Sequence, residues 1–362
     1  MGTGPLRLRV LLTGSAGSGK TALCVGLVQA LRKRGLQAGY VKPVANVATF
    51  SDSRDPDVSL MQAVLGAELV GDVRITLGPN YLTRYRPDRS HLSQVVAEVE
   101  RLSGQVDVLF VESPTSPQAG AALGIDSFEL ARALSASALM VDHVRDDLEF
   151  DVMVVRNQHM RCRGVSIGGN VFNNVPLAAW EKSLSVYKPL LEGMGFPVIG
   201  VVPQRMEITA PTAGEIKEYL DAELLAGQKG LSRPIEDIVV GAMSFESALR
   251  YLRRATNKAV VTGGDRSDLA LAALETSTSV IILTGGLFPN VEVLEQAEQK
   301  GVPVLLVPGD TYSTVDRLGR ISRRLAPEDE ESIRVARDLV ASHVDVDAFL
   351  TRLQGQAPAP QG

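Results

Sequence analysis

Residues 14–21 read Gly-Ser-Ala-Gly-Ser-Gly-Lys-Thr, and they follow the apolar run Leu8-Arg-Val-Leu-Leu-Thr13. The segment fits the pattern G-x-x-x-x-G-K-[ST] at every fixed position. A strand is predicted before it and a helix, Ala22 to Arg34, after it. This context distinguishes a phosphate-binding loop from an ordinary glycine-rich turn. The sequence therefore predicts that the chain binds a nucleoside triphosphate.

The residue types in this loop suit phosphate binding. Glycines let backbone N–H groups curl around phosphate oxygens, and the start of the next helix adds a partial positive charge. Lys20 is expected to reach the β- and γ-phosphates, and the Thr21 hydroxyl is expected to bind Mg²⁺. The predicted nucleotide contacts in the loop are Gly14, Ser15, Ala16, Gly17, Ser18, Gly19, Lys20 and Thr21.

Composition limits the classes of function. Hydrophobic residues make up 45% of the chain and charged residues 22%, which is typical of a globular protein, and a length of 362 residues predicts two or three domains. A net charge of -5 gives no electrostatic basis for nucleic-acid binding. Cys24 and Cys162 are the only cysteines, which fits a reducing compartment. Because no apolar run approaches the roughly 20 residues that cross a bilayer, we expect a cytoplasmic protein without a membrane partner.

Two stretches of the first half carry further candidate residues. The short strand Gln37 to Val44 ends in Lys42-Pro43, and α/β proteins place their ligands at the C-terminal ends of parallel strands. Lys42 therefore either faces a ligand or is a solvated lysine at a strand end. Asp57 lies in an acidic segment before an apolar-periodic helix. Asp52 or Asp55 would cap that helix, while Asp57 either turns toward a metal or has a capping role as well.

A third candidate ends a buried strand. Val106-Asp-Val-Leu-Phe-Val-Glu112 is an apolar run that finishes in a carboxylate. P-loop proteins use a carboxylate in this position to hold Mg²⁺ or its water. The alternative is that Glu112 caps the turn Glu112-Ser-Pro-Thr-Ser-Pro. The phosphate-binding loop upstream favours the metal role.

The pattern of elements indicates an α/β fold. About six strands alternate with helices in the first half, which predicts a doubly wound parallel sheet, and residues 75–89 are loop-like. A helix is expected to run to about Leu225, and the turn-rich residues 226–234 form the predicted joint. A second, smaller α/β set follows, with strands predicted near residues 235–240, 258–261, 280–283 and 302–307. The predicted domains are 1–228 and 229–350, followed by a disordered tail at 351–362.

Glycine-bearing loops follow three of the predicted strands in the second half. Such loops at a sheet edge could bind a small ligand, but glycines also make tight turns, and Asp265 or Ser267 suits a helix cap. Both alternatives stay open from the sequence. The candidate ligand residues of this domain are Gly263, Gly264, Asp265, Asp268 and Asp310.

Together these marks resemble a known family. Residues 10–225 resemble the dethiobiotin synthetase and cobyrinic acid diamide synthase group of P-loop proteins, and most of all the synthetase-like domain at the N-terminus of some phosphotransacetylases. The matching marks are residues 14–21, Gly39-Tyr-Val-Lys42-Pro43-Val44, Asp57, Glu112, Gly169-Asn-Val-Phe-Asn173 and Pro197-Val-Ile-Gly-Val-Val-Pro203. Residues 231–345 resemble the DRTGG domain, which accompanies that domain. Its marks are Gly263-Gly-Asp-Arg-Ser-Asp268, Leu283-Thr-Gly-Gly286 and Asp310-Thr-Tyr312.

The resemblance implies roles for these residues. Lys20 would hold phosphates, Lys42 would face the substrate, and Asn173 would read the adenine edge. Thr21, Asp57 and Glu112 would bind Mg²⁺, and the protein would be a homo-oligomer, with a dimer as the implied state. The chain departs from true dethiobiotin synthetases after Glu112, where two prolines replace a glycine-rich turn. No glutaminase or acetyltransferase domain is recognised, so neither activity is expected.

Two hypotheses of function follow. The first is an Mg²⁺–ATP-binding enzyme, a slow ATPase or an ATP-dependent phosphoryl-transfer or ligase-type enzyme acting on a small carboxylate-like acceptor, with Lys20 and Lys42 as the catalytic residues. The second is an ATP-binding regulatory protein of acetyl-group metabolism, with the DRTGG domain as the effector or partner module.

Overall fold

The structure is a computed structural model, and it places the chain in two compact units. One unit comprises Met1–Arg205 together with Leu325–Gly362, and the other comprises Met206–Arg324. The residues that the structure describes are 7–45, 55–78, 80–85, 90–241, 245–319, 321, 323 and 325–356.

Strands and helices alternate along most of the chain. The strands are β1 (Leu8–Thr13), β2 (Ala38–Ala45), β3 (Val70–Thr76), β4 (Val108–Glu112), β5 (Ser137–Asp142), β6 (Ile167–Val175), β7 (Val198–Pro203), β8 (Glu223–Ala226), β9 (Asp237–Val240), β10 (Lys258–Gly263), β11 (Thr278–Thr284) and β12 (Val304–Leu306). The helices are α1 (Lys20–Arg32), α2 (Pro56–Leu65), α3 (Tyr81–Arg84), α4 (Ser90–Ser103), α5 (Ser127–Ala133), α6 (Asp147–Cys162), α7 (Leu177–Lys182), α8 (Lys188–Gly193), α9 (Met206–Thr209), α10 (Ala213–Leu220), α11 (Phe245–Leu252), α12 (Ser267–Leu274), α13 (Val291–Lys300), α14 (Thr311–Leu318), α15 (Glu330–His343) and α16 (Val346–Gln356). Among the described helices, none has the length and apolarity that crossing a bilayer requires.

The described part of the first unit contains a parallel sheet in the order β3-β2-β4-β1-β5-β6-β7. The central strand β1 pairs with β4 on one side and β5 on the other. Strands β1, β4, β5 and β7 are near-continuous apolar runs, as is typical of parallel strands that are buried on both faces. Since the strands run parallel, the ends of β1, β2, β4, β5 and β6 meet at one edge. The predicted fold class of this half, a doubly wound parallel sheet, is confirmed.

The edge strand β3 was not predicted. Residues 75 and 76 belong to β3, although the sequence analysis placed them in a loop. The strand reads Val-Gly-Asp-Val-Arg-Ile-Thr and has no continuous apolar run, because it lies at the edge and pairs with β2 alone among the described strands. Val70 and Ile75 are nevertheless buried.

The second unit also has a sheet of its own. Its described strands lie in the order β8-β12-β11-β10-β9, and β8 runs antiparallel to β12 while the others are parallel. The helix predicted to reach Leu225 ends at Leu220, because Asp221 adopts a left-handed conformation with φ of 55°. The chain then enters β8. The predicted second α/β domain is confirmed, with a mixed sheet.

The turn-rich residues 226–234 are not a joint between the units. They lie inside the second unit, where Gly227 and Gly230 pack against the turn that follows α13. A Cβ atom on Gly227 would lie 2.1 Å from the carbonyl oxygen of Val302, and one on Gly230 would lie 2.1 Å from that of Gly301. The two glycines allow close backbone packing, and the units divide at residue 206 rather than at 229.

The last two helices belong to the first unit, which differs from the predicted domain 229–350. Helix α15 packs on α1, where a Cβ on Gly26 would lie 2.3 Å from Cγ2 of Val340. Gly200 of β7 forms an antiparallel bridge with Val344. Residues 351–356 of the predicted disordered tail are helical, and α16 buries Phe349 and Leu353. The remainder of that tail, 357–362, lies outside the described residues.

Candidate functional site

Residues 14–21 form a loop that leads from β1 into α1. The loop lies against the end of β5, where a Cβ on Gly14 would be 1.8 Å from the carbonyl oxygen of Val141. Gly19 has φ of 80°, and a Cβ there would meet the Asn173 amide at 2.6 Å. Glycine is required at both positions, so the loop can press onto the sheet and present its backbone N–H groups at the start of α1.

Lys20 is turned back onto this loop. Its Nζ donates a 2.9 Å hydrogen bond to the carbonyl oxygen of Ser15, and the side chain is buried. Burial lowers the pKa of Lys20, against the charges of Glu112 and Asp142, which raise it. A desolvated ammonium among backbone dipoles is suited to a phosphate group, which would supply the missing opposite charge.

Thr21 and Glu112 are in direct contact. The Thr21 hydroxyl lies 3.0 Å from both carboxylate oxygens of Glu112, at the end of β4. Because the hydroxyl donates its only hydrogen to Glu112, its lone pairs remain available for a metal. The buried Tyr40 hydroxyl donates a second hydrogen bond of 2.9 Å to Oε2 of Glu112. Burial raises the pKa of Glu112, while the Lys42 charge opposes that shift.

Lys42 is surrounded by three carboxylates. Its Nζ forms a short ion pair with Asp57, lies 3.2 Å from Oδ1 of Asp55 and lies 4.0 Å from Oε1 of Glu112. Burial acts to lower the pKa of Lys42, but these carboxylates outweigh it, so the pKa is raised. The lysine is therefore not a solvated residue at a strand end.

The same contacts distinguish the two acidic residues at the start of α2. Asp55 is the N-cap, since its side chain accepts a 2.9 Å hydrogen bond from the Asp57 backbone. Asp57 occupies the first turn and pairs with Lys42. The structure thus brings Lys20, Thr21, Lys42, Asp57 and Glu112 together through a continuous set of contacts and charge interactions.

Asn173, the residue expected to read adenine, contacts the loop. Its Nδ2 donates a 2.7 Å hydrogen bond to the carbonyl oxygen of Ser18, and the side chain is buried. In the described conformation this amide therefore fixes the second half of the phosphate-binding loop. The adenine role stays a prediction.

Three residues of the site were missed by the sequence analysis: Tyr40, Asp142 and Arg156. Asp142 ends β5 and accepts hydrogen bonds from the backbone N–H and hydroxyl of Ser15, at 2.8 and 2.9 Å. Arg156 of α6 forms a short ion pair with the same carboxylate. Asp142 carries the signal that identified Glu112, an acid after an apolar strand. Tyr40 and Arg156 carry no comparable signal.

The side chains fit a magnesium ion that arrives with a nucleotide. Within the described residues there is no group of three or more His, Cys, Asp or Glu side chains placed to hold a metal by themselves. Mg²⁺ commonly binds through one or two carboxylates together with substrate phosphates and water. The Thr21 hydroxyl and the carboxylates of Glu112 and Asp57 match that partial set, and Lys42 at present balances the two carboxylates.

In the second unit, the three glycine-bearing loops meet at one edge of the sheet. The Gly264 N–H donates to the carbonyl oxygen of Thr284 at 3.2 Å, and that of Gly285 donates to Gly309 at 2.8 Å. Asp310 caps α14 through the backbone N–H of Ser313, at 2.9 Å. Asp310 is therefore a helix cap. The cap expected from Asp265 or Ser267 is not formed, because α12 begins after Arg266 without a side-chain cap.

The other candidate residues lie in the first of these loops. A Cβ on Gly264 would lie 1.7 Å from the carbonyl oxygen of Leu287, so this glycine allows close approach of the next loop. Asp268 pairs with Arg266 at 3.1 Å. Gly263 lies at the end of β10, and Asp265 is exposed. A ligand role for these residues stays a prediction.

Comparison with known proteins gives matches for both units. Residues 9–212 match the AAA domain family, and residues 215–321 match the DRTGG domain family. The phosphate acetyltransferase of Pseudomonas putida KT2440 is 27% identical over 349 residues, which cover 91% of this chain and 49% of that protein. The phosphate acetyltransferase of Escherichia coli K12 is 21% identical over 373 residues, which cover 94% and 52%. The chain thus spans about half the length of these curated relatives.

Two solved structures match parts of the chain. The septum site-determining protein MinD of Pyrococcus horikoshii, complexed with Mg-ADP, matches with a TM-score of 0.36 and 17% identity, covering 56% of this chain and 83% of that one. The CBS and DRTGG domains of the Clostridium perfringens pyrophosphatase regulatory region, complexed with diadenosine tetraphosphate, match with a TM-score of 0.27 and 17% identity. That match covers 37% of this chain and 68% of the other.

Proposed function

The chain belongs to the AAA domain family, which matches more than half of its residues, and we propose that its first unit binds Mg²⁺–ATP at residues 14–21. The contact between the Thr21 hydroxyl and Glu112, at 3.0 Å, carries this proposal. It pairs the hydroxyl that ends the phosphate-binding loop with the carboxylate that ends a neighbouring strand. P-loop proteins hold Mg²⁺ with these two residue types.

The reaction that we propose is slow ATP hydrolysis or phosphoryl transfer to a small carboxylate-like acceptor. Bound Mg²⁺ would offset the charge of the β- and γ-phosphates, and Lys20 would bind the same phosphates. Lys42 now neutralises Asp57 and Glu112. When another cation balances those carboxylates, the Lys42 ammonium is free to bind an anionic acceptor. The residues thus act by positioning and by charge, which is the main contribution of proteins to phosphoryl transfer.

Two measurements test this proposal. ATP affinity of the full chain is expected to fall when a chelator removes Mg²⁺. Phosphate release from ATP is expected to rise when pooled small carboxylic acids are added, and Lys42→Ala should remove that stimulation while leaving ATP binding in place. Phosphate release that no acid stimulates would contradict the transfer reaction, and binding that is indifferent to chelator would contradict the metal.

A second candidate function is favoured by the family match of the second unit. Residues 215–321 match the DRTGG domain, and the curated relatives that carry both halves are phosphate acetyltransferases of about twice the length. The chain would then be an ATP-binding regulatory protein of acetyl-group metabolism. Tight ATP binding without turnover, together with an ATP affinity that acetyl-phosphate or acetyl-coenzyme A alters, would favour this candidate over the enzyme.

A further inference from the structure

The phosphate-binding loop is held at its beginning by an internal anion. One carboxylate oxygen of Asp142, Oδ1, accepts hydrogen bonds from both the backbone N–H and the hydroxyl of Ser15. Asp142 is only 2% exposed, so this negative charge lies in a low-dielectric region beside the loop. A carboxylate thus occupies one N–H group of a loop whose backbone is shaped to bind anions.

The charge of Asp142 is only partly balanced. Oδ1 takes all three of the contacts described for this carboxylate, two from Ser15 and one from Arg156. The other oxygen, Oδ2, is buried and has no hydrogen-bond partner in the described part of the chain. The negative charge of Asp142 also acts on Lys20, because it is one of the charges that raise the pKa of this lysine.

The balancing cation comes from a different element. Arg156 lies in the middle of α6, and its side chain is 19% exposed. The negative charge of Asp142 is buried and contacts the loop at Ser15, whereas the positive charge of Arg156 is partly exposed and contacts Asp142. A phosphate group that enters the loop would be repelled by Asp142 and attracted by Arg156.

We infer that Asp142 and Arg156 form a charge pair that sets the affinity of the loop for nucleotide phosphates, with Asp142 weakening binding and Arg156 strengthening it. This inference rests on the proposed function, because it assumes that residues 14–21 receive phosphates. It adds two residues that act on the loop through Ser15 rather than by contact with the nucleotide. Any displacement of α6 that separates the pair would lower the affinity.

A purely structural role of the pair predicts a different pattern. If Asp142 and Arg156 only hold the loop in shape, loss of either partner leaves the other buried and unpaired, and both losses weaken binding. If the pair acts through its charges, nucleotide affinity instead rises when Asp142 is replaced and falls when Arg156 is replaced. Asp142→Asn is nearly isosteric and keeps an oxygen that can accept from Ser15, so it removes the charge while retaining an acceptor.

The experiment measures the dissociation constants of ATP and of inorganic triphosphate for the full chain and three variants. Asp142→Asn should bind about tenfold more tightly and Arg156→Gln about tenfold more weakly, the factor that corresponds to 1.4 kcal/mol. The double variant, in which the pair is again neutral, should return to within about threefold of the parent, since the two charge effects cancel. Raising the salt concentration should shrink the effect of Arg156→Gln more than that of Asp142→Asn, because Arg156 is partly exposed and Asp142 is buried.

Arg163→Gln is the matched control. Arg163 follows α6 directly and pairs with Glu129 of α5 at 3.0 Å rather than with Asp142. Its removal should leave both dissociation constants unchanged. Melting temperatures without ligand identify any variant that has lost its fold, and such a variant is replaced by Asp142→Ser or Arg156→Met, for which the same signs are expected.

Three outcomes are decisive. Opposite signs in the single variants, with recovery in the double variant, support the charge pair. Weaker binding in both single variants, or a double variant as weak as the weaker one, overturns the inference in favour of a structural role while leaving ATP binding in place. A parent chain that binds neither ATP nor triphosphate overturns the proposed function, and the inference with it.

Discussion

The hydroxyl of Tyr40 donates a 2.9 Å hydrogen bond to Oε2 of Glu112, and both side chains are buried in the first unit. This bond orients the carboxylate that is proposed to face the metal. Tyr40→Phe removes one donor and no packing volume, so the fold should survive. The bond is present before nucleotide binds, so only part of the about 1.5–3 kcal/mol that such a bond contributes to stability should appear as weaker nucleotide affinity in Mg²⁺, a loss of up to about tenfold.

The measurement for Tyr40→Phe is ATP affinity with and without Mg²⁺. A loss confined to the magnesium-containing samples supports the orienting role. Equal affinity of parent and variant in Mg²⁺ would show that Glu112 needs no orientation by Tyr40.

Glu112→Gln should reduce turnover more than nucleotide binding. The glutamine can still accept from Thr21 through its amide oxygen, but it carries no charge for Mg²⁺. Loss of that charge also leaves Lys42 with Asp55 and Asp57 as its described carboxylate partners. Phosphate release and ATP affinity are measured over a range of magnesium concentrations. A variant with the parent's turnover and magnesium dependence would remove Glu112 from the proposed metal site.

Gly26→Ala should destabilise the first unit. The new Cβ would lie 2.3 Å from Cγ2 of Val340 and 2.8 Å from the carbonyl oxygen of Ala336, so α1 and α15 must separate. Overpacking of this kind typically costs about 1–3 kcal/mol. Gly193→Ala is the control, because it lies in α8 with nothing within 4 Å of its Cβ position. Urea unfolding should show a lower midpoint for Gly26→Ala alone, and equal midpoints would contradict the described helix packing.

The stability of the second unit should depend on the ionisation of Lys258. This lysine is fully buried at the start of β10, and its Nζ donates to the carbonyl oxygen of Ser277 at 2.7 Å. Burial lowers its pKa from 10.5 to about 8. The unfolded chain therefore holds this proton more tightly, and the free energy of unfolding should rise as the pH is raised from 8 to 10.5.

The contribution of Lys258 to the pH dependence of stability is obtained by comparing the parent with a variant that lacks this lysine. Free energies of unfolding are compared between the parent and Lys258→Met at several pH values, so that other titrating groups cancel. The difference should be constant below about pH 8 and should change in favour of the parent above it. A pH-independent difference would mean that the buried lysine titrates normally.

The centre of the candidate site could be predicted because its chemistry is local in sequence. The loop at residues 14–21 is identified by its own residues, and an acid or lysine after an apolar strand marks Glu112 and Lys42. The sequence offers Asp52 and Asp55 as caps of α2, but it does not decide whether Asp57 has a capping role or a role in the site; Asp52 lies outside the described residues. The choice depends on where Lys42 lies, which requires the pairing of β2 with its neighbours.

The sequence alone does not show which residues of neighbouring strands contact one another. Asp142 reaches Ser15 because β5 is the neighbour of β1, and the order of strands in a sheet cannot be read from a single chain. The same applies to α15, whose apolar spacing predicts a helix with one buried face but not the surface that it covers. Gly26 packs against Val340, which is more than 300 residues away, and the residues around Gly26 in the sequence do not indicate this contact.

The central claim is that residues 14–21 bind the phosphates of ATP, and titration of the full chain with ATP in Mg²⁺ tests it most directly. Lys20→Ala is the variant to compare. Lysines in loops are usually exposed, but Lys20 is buried and its side chain donates a hydrogen bond to the Ser15 carbonyl oxygen. Loss of this charged contact should cost about 1.5–3 kcal/mol or more, an affinity at least tenfold weaker, with little change in melting temperature without nucleotide. If Lys20→Ala binds ATP as tightly as the parent, the loop does not hold the phosphates and the account is wrong.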